Sequence, residues 1–235
     1  MSEPVAFYQV DAFSDRAFAG NPAAVCLNET WLPDDVMQAI AAENNLSETA
    51  FLVPEGEDWG LRWFTPTTEV DLCGHATLAA AAVLFDDEDD EEEADAVVFH
   101  TASGVLTVTH QDGVFELDFP AIPPLPLGGE PPPALLAGLG STPEAILDAG
   151  HNFLCVYPTE ADVAGLAPEF GTLGMLGEKR VIVTAPADAD ELDFVSRFFG
   201  PTVGVDEDPV TGSAHCSLAP YWADRLGHST LQARQ

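Results

Sequence analysis

Between Pro120 and Pro133 the chain reads PAIPPLPLGGEPPP, seven prolines in fourteen residues. Proline holds φ near about −65° and brings no N–H, so such a stretch is not expected to be regular structure. It therefore cuts the 235-residue chain into two halves, 1–120 and 121–235, each long enough to bury a core.

Both halves use the same vocabulary. In the first, VAFYQVDAF, AAVCL, LRWFTP, AVVFHT, GVLTVTH and GVFELDF read as strands. DDVMQAIAAENN reads as a helix starting after Leu32, with Pro33 in its first turn and Asp34 and Asp35 where acids suit the dipole. HATLAAAAVLF is a second helix, alanine-rich enough to be buried. In the second half, NFLCVYP and RVIVTAP read as strands, and ADADELDFVSRFFG and SAHCSLAPYWADRL as helices. DLCGHATLAAAAVLF (71–85) and DPVTGSAHCSLAPYW (208–222) echo each other: an acid, then a glycine, then a helix of small residues. The run DDEDDEEEAD (86–95), nine acids in ten residues, is expected to be a solvated loop.

Composition removes whole classes of function. With 40 acidic and 7 basic residues the net charge is −33, which repels nucleic acid and anionic membranes. Spread along the whole chain, this acidity reads as adaptation to concentrated salt. The N-terminus MSEPVAFYQVDAF has no basic region leading into an apolar stretch, and no apolar run reaches the ~18 residues of a span, so a soluble cytoplasmic protein is expected. Cys26 and Cys155 lie in apolar runs and read as packed thiols; Cys73 and Cys216 stand beside His75 and His215. Their Cys-x-His and His-Cys spacings do not fit a zinc site, so no metal is expected. GxGxxG, Walker and GxSxG motifs are absent from the sequence, which leaves no sign of a nucleotide cofactor or serine nucleophile.

Two candidate sites remain. At Gly74 and at Gly212–Ser213 a helix opens on small residues, and its first amides could hold a carboxylate; equally, the glycines could serve close packing. Glu48, in ENNLSETAF with Ser47 before it, stands where a helix ends and an apolar strand begins. An acid there is either solvated or, among Leu46, Ala50, Phe51 and Leu52, raised toward the range of a general acid and base.

The segments YQVDAFSDRAFAGNPAAVCL, NLSETAFL, RWFTPTTEVDLCGHATLAAA, SRFFGPTVGVDEDPVTGSAH and LAPYW, in this order, resemble the phenazine-biosynthesis PhzF-like isomerase family. The resemblance runs from about residue 7 to the C-terminus. It implies an α/β fold of the diaminopimelate-epimerase-like type: two pseudo-symmetric domains, each a curled, mainly antiparallel sheet around a central helix, with the active site in the cleft between them. It implies Glu48 as the proton-shuttling carboxylate and His75 and Asp208 as its polar partners. Ser47, Gly74, Gly212 and Ser213 would meet the carboxylate of a small carboxylic-acid substrate. In the best-understood member a carboxyl group moves a proton across one face of a dihydroxy-cyclohexadiene carboxylic acid without a cofactor. A homodimer is implied as well, which at this charge would need high salt to assemble.

The same fold hosts racemases and epimerases that use one cysteine from each domain. Cys73 sits at the first position, but DPVTG has no cysteine before Thr-Gly, and Cys216 falls within the helix, so paired-thiol chemistry is disfavoured. Cys73 then reads as a packed neighbour of Gly74. The remaining alternative is a non-catalytic, small-acid-binding descendant. Family members continue past the segment matching LQARQ with a Ser-x-x-Gly-Gly turn and further strands, so the second domain is expected to lack its last strands.

Overall fold

The computed structural model describes residues 5–16, 18–86 and 96–235. The chain forms two compact units, Met1–Phe119 and Pro120–Gln235. Among the described residues no helix is long and apolar enough to cross a membrane.

The first unit runs β1 (Ala6–Ala12), β2 (Asn21–Leu27), α1 (Asp34–Asn44), β3 (Glu48–Glu55), β4 (Asp58–Phe64), β5 (Glu69–Val70), α2 (Gly74–Phe85), β6 (Ala96–Thr101), β7 (Gly104–Gln111) and β8 (Val114–Asp118). Its sheet has the order β1-β2-β3-β4-β6-β7-β8, with β5 beside β4. Neighbours are antiparallel except β2 with β3 and β4 with β6. Parallel neighbours need a crossover, and α1 and α2 supply the two. Helix α2 touches β1, β2 and β3 at one end of the sheet and β7 and β8 at the other. One helix reaches both ends only if the sheet curls round it. The sequence allows this because Ala76, Ala79, Ala80 and Ala81 let Ala23, Val25, Ala50, Leu52, Leu61, Trp63, Phe99 and Val108 close on every side. The outer face is covered by α1, whose Met37 and Ala41 pack on Cys26, Phe51 and Phe64. Of the run 86–95, only Asp86, the C-cap of α2, lies within the described residues.

The second unit runs β9 (Leu125–Pro126), α3 (Pro133–Leu139), β10 (Ala145–Ala149), β11 (Asn152–Val156), α4 (Glu160–Ala164), α5 (Phe170–Leu173), β12 (Arg180–Pro186), β13 (Phe194–Gly200), β14 (Val205–Asp208), α6 (His215–Leu226) and β15 (Ala233–Arg234). Strand order is β14-β13-β12-β11-β10-β9, and β15 shares the outer edge of β13 with β14. The pairing repeats that of the first unit step by step. An antiparallel pair, β10 with β11, is followed by the parallel β11 and β12, the antiparallel β12, β13 and β14, and the parallel β13 and β15. Helix α6 forms the last crossover, as α2 does in the first unit. Its Leu218 and Trp222 pack on Leu154, Ile182, Phe194 and Phe198. The opposite face of the sheet is covered by Leu135 and Leu139 of α3, Val163 of α4 and Leu173 of α5. Gly138 permits the close approach of α3 and α5, since a Cβ there would lie 2.5 Å from Cδ2 of Leu173.

Two readings of the sequence fail. ADADELDFVSRFFG is not a helix: turns and bends lead into β13. This strand lies between covered faces, so Phe194, Val195, Ser196, Phe198 and Phe199 are all buried, and an unbroken apolar run carries no alternation to mark it as a strand. The acids before it imitate a helix's first turn. The proline-rich stretch is not wholly irregular either. Leu125–Pro126 pairs with Leu147 and Asp148 at the sheet edge, where proline is tolerated, and Pro133 opens α3, where its missing N–H costs nothing.

Candidate active site

Glu48 is the first residue of β3. Alternation along the strand puts its side chain on the face of Ala50 and Leu52, the face α2 packs against. Helix α2 begins at Gly74, with Cys73 as its extended N-cap (φ −142°, ψ 114°) and His75 in the first turn. These two element starts bring Nε2 of His75 to 3.4 Å from Oε2 of Glu48. The other ring nitrogen, Nδ1, lies 3.5 Å from Sγ of Cys73. Thiol, imidazole and carboxylate thus form one close group.

The group is enclosed. His75 is 2% exposed, Cys73 5% and the Glu48 side chain 15%. Burial holds His75 down to about 4, so the imidazole is neutral at physiological pH. Thr77 fixes the turn from below, its Oγ1 donating to the Cys73 carbonyl at 2.5 Å. Ser47 lies partly buried in the bend before β3. One donor atom each from Glu48, Cys73 and His75 lie within 4.8 Å of one another, close enough to consider a cation. The ring turns Nδ1 to the thiol and Nε2 to the carboxylate.

In the second unit Asp208 ends β14 and is 7% exposed. Thr211 Oγ1 donates to its Oδ2 at 2.5 Å. Gln235 clasps the same turn: its Nε2 donates to the Asp208 carbonyl at 2.7 Å and to Thr211 Oγ1 at 3.0 Å, and its Oε1 accepts from the Thr211 amide at 3.1 Å. Gly212 and Ser213 follow in a 3-10 turn, Gly212–Ala214, that leads into α6. Thr211 and Gln235 are absent from the sequence-based set. The Asp-x-x-Thr spacing could have pointed to Thr211, but nothing local marks Gln235.

Neither Gly74 nor Gly212 is among the glycines of positive φ. All four cysteines are free and buried, and burial lifts the thiols of Cys26, Cys155 and Cys216 to about 11, about 12 and about 11. His215 turns Nδ1 to the Thr211 carbonyl at 3.1 Å, in the turn that leads into α6.

A crossover helix inside or upon a curled sheet, repeated with the same strand pairing, defines an α/β protein of the epimerase-like fold. A probable proline racemase from Agrobacterium radiobacter, 13% identical, shares that fold with a TM-score of 0.61 over 97% of this chain and 79% of its own. The family is more particular: the model of phenazine biosynthesis-like proteins, PhzC-PhzF, matches residues 10–235, and the chain belongs to that family. It is 52% identical over 229 residues to a Pseudomonas aeruginosa protein named as an isomerase, covering 97% of this chain and 85% of that one. A PhzF-family crystal structure from Enterococcus faecalis superposes with a TM-score of 0.84 at 47% identity, covering 97% of this chain and 86% of that one. These relationships place the chain among isomerases.

Proposed function

We propose that this isomerase moves a proton within a small carboxylic acid, without a cofactor, and that Glu48 carries the proton. The carboxylate of Glu48 takes a proton from a carbon of the substrate, the freed electron pair shifts an adjoining double bond, and the new Glu48 carboxyl returns the proton to a second carbon. The observation that carries this reading is the contact between Glu48 and a buried, neutral His75. A neutral ring next to a carboxylate leaves it free to accept a proton, where an imidazolium would hold it ionised. General acid–base work of this kind contributes roughly a hundred- to ten-thousand-fold in rate.

In the same reading Asp208 is a polar partner, and the starts of α2 and α6 at Gly74, Gly212 and Ser213 offer amides to the substrate's carboxylate, with Ser47 beside Glu48. The scarcity of other cations supports amides in this role. Arg62 is held by Glu69 and Asp34, Lys179 by Asp148, Arg197 by Glu207 and Arg234 by Glu160. Paired-thiol racemisation has little support, because Cys216 is buried in α6 with its thiol pushed up to about 11. The acidic surface fits work in concentrated salt, and assembly as a homodimer would need that salt.

The test is proton NMR in deuterated, high-salt buffer with small unsaturated and amino carboxylic acids, comparing wild type with Glu48→Gln. The expected result is double-bond migration or deuterium uptake that is lost in the variant while ligands still bind. Turnover that survives Glu48→Gln overturns the reading, and binding without turnover in either protein replaces it with a small-acid-binding role.

A further inference from the structure

We propose that Cys73 is a positioning residue whose thiol donates a hydrogen bond to Nδ1 of His75 and so selects the ring tautomer that turns Nε2–H toward Glu48. The inference deepens the role proposed for Glu48 and rests on it for its catalytic consequence, though not for its geometry.

A neutral imidazole has one N–H and one lone pair, and its surroundings decide which nitrogen carries which. Here the two nitrogens face chemically opposite partners. Nε2 is 3.4 Å from a carboxylate oxygen, which only accepts once ionised. Nδ1 is 3.5 Å from a thiol, which can donate. With the proton on Nε2 both contacts are favourable: the N–H side of the ring lies beside the carboxylate, and S–H can turn to the Nδ1 lone pair. With the proton on Nδ1, the Nε2 lone pair would face the lone pairs of Glu48, and in a site where His75 is 2% exposed little water is present to relieve that repulsion.

The backbone keeps the thiol in place. Cys73 is the N-cap of α2, and its carbonyl is gripped from the next turn by both the Thr77 hydroxyl at 2.5 Å and the Thr77 amide at 3.3 Å. Its side chain makes no cap hydrogen bond.

Such a thiol transfers no proton to or from the substrate. It keeps the ring from rotating or re-protonating, so that the donor aimed at Glu48 closes the few tenths of an ångström to a hydrogen bond when substrate shuts out solvent. This separates it from a racemase thiol, which must itself gain and lose a proton. A hydroxyl could replace a positioning thiol, since it also donates. It could not replace a thiol base.

The experiment reads the tautomer directly. Long-range proton–nitrogen correlation on histidine-labelled protein, assigned with His75→Gln, is recorded for wild type, Cys73→Ser and Cys73→Ala without substrate. Wild type and Cys73→Ser are expected to show a protonated Nε2 and an unprotonated Nδ1, and Cys73→Ala a mixture of tautomers. In turnover, Cys73→Ala should lower kcat by at least about tenfold with KM nearly unchanged, and Cys73→Ser should recover most of that loss. A protonated Nδ1 in wild type, or a Cys73→Ala protein with tautomer and kcat unaltered, overturns the proposal. Loss of activity in Cys73→Ser as deep as in Cys73→Ala overturns it in favour of a thiol base. Because the tautomer needs no substrate, failure of the Glu48 reading would appear separately, as turnover that survives Glu48→Gln.

Discussion

The starts of α2 and α6 are two answers to one sequence pattern. Each follows an acid and a glycine, carries a histidine in or at its first turn, and forms the crossover between two parallel strands. In the first, the ring nitrogens of His75 face Cys73 and Glu48; in the second, Nδ1 of His215 faces the carbonyl of Thr211 in the turn that leads into its own helix. No residue of α2 is exposed, whereas Asp224, Arg225 and Leu226 of α6 are. A repeated backbone therefore does not entail repeated chemistry. What differs is the partner offered by the next strand: β3 begins with an acid facing its helix, while its counterpart β12 begins with Arg180 followed by buried Val181 and Ile182.

Replacing each of the two histidines in turn would test this difference most severely. His75→Asn is expected to lower turnover by roughly a hundredfold or more, and His215→Asn to leave it within about threefold while costing about 1 kcal/mol of stability for the lost contact to Thr211. Steady-state kinetics and urea titration on both variants decide, and equal losses of turnover would erase the distinction. Next in size is the enclosure of α2. Ala80→Leu, at a site 0% exposed, is expected to destabilise by about 1–3 kcal/mol, whereas Ala223→Leu on the half-buried side of α6 should cost well under about 1 kcal/mol.

A pH series sharpens the contrast further. The folded pKa of His75 is depressed from 6.5 to about 4, so between those values the unfolded chain binds a proton that the folded one does not. Stability must then fall as pH drops, by about 1 kcal/mol between pH 6.5 and 5.5 from this group alone. His215 is shifted in the same direction, also chiefly by burial. Urea midpoints at fixed high salt should show a shallower slope in His75→Gln, and an unchanged slope would mean the ring is already charged. A change of similar size is expected at Gln235. Gln235→Ala removes three hydrogen bonds from a partly exposed turn and should cost about 1 kcal/mol, read as an earlier urea midpoint.

Much of this architecture is legible before any coordinates. HATLAAAAVLF reads as a buried helix because only small apolar residues at every position let strands close all round it. Glu48 is conspicuous because a helix signal ends and an apolar run begins on either side of it. Its contact with His75 is not legible, since it depends on the strand's parity and on where α2 crosses the curled sheet. Strand β13 was hidden by its own burial, and β10 and α3 by weak local signals next to a proline-rich stretch. The clasp of Gln235 on Asp208 and Thr211 lies beyond any local pattern, because the chain must first complete α6 to bring it there.

The curl of the first sheet also sets an order of events in synthesis. Helix α2 is touched by β1, β2 and β3, which are made before it, and by β7 and β8, which are made after it. A ribosome releasing this chain from its N-terminus therefore exposes an alanine-rich, almost wholly apolar helix well before its far wall exists. Until Asp118 has emerged the helix can be only half covered, so the nascent first unit must wait, as an open trough, for its own last hairpin to seal it.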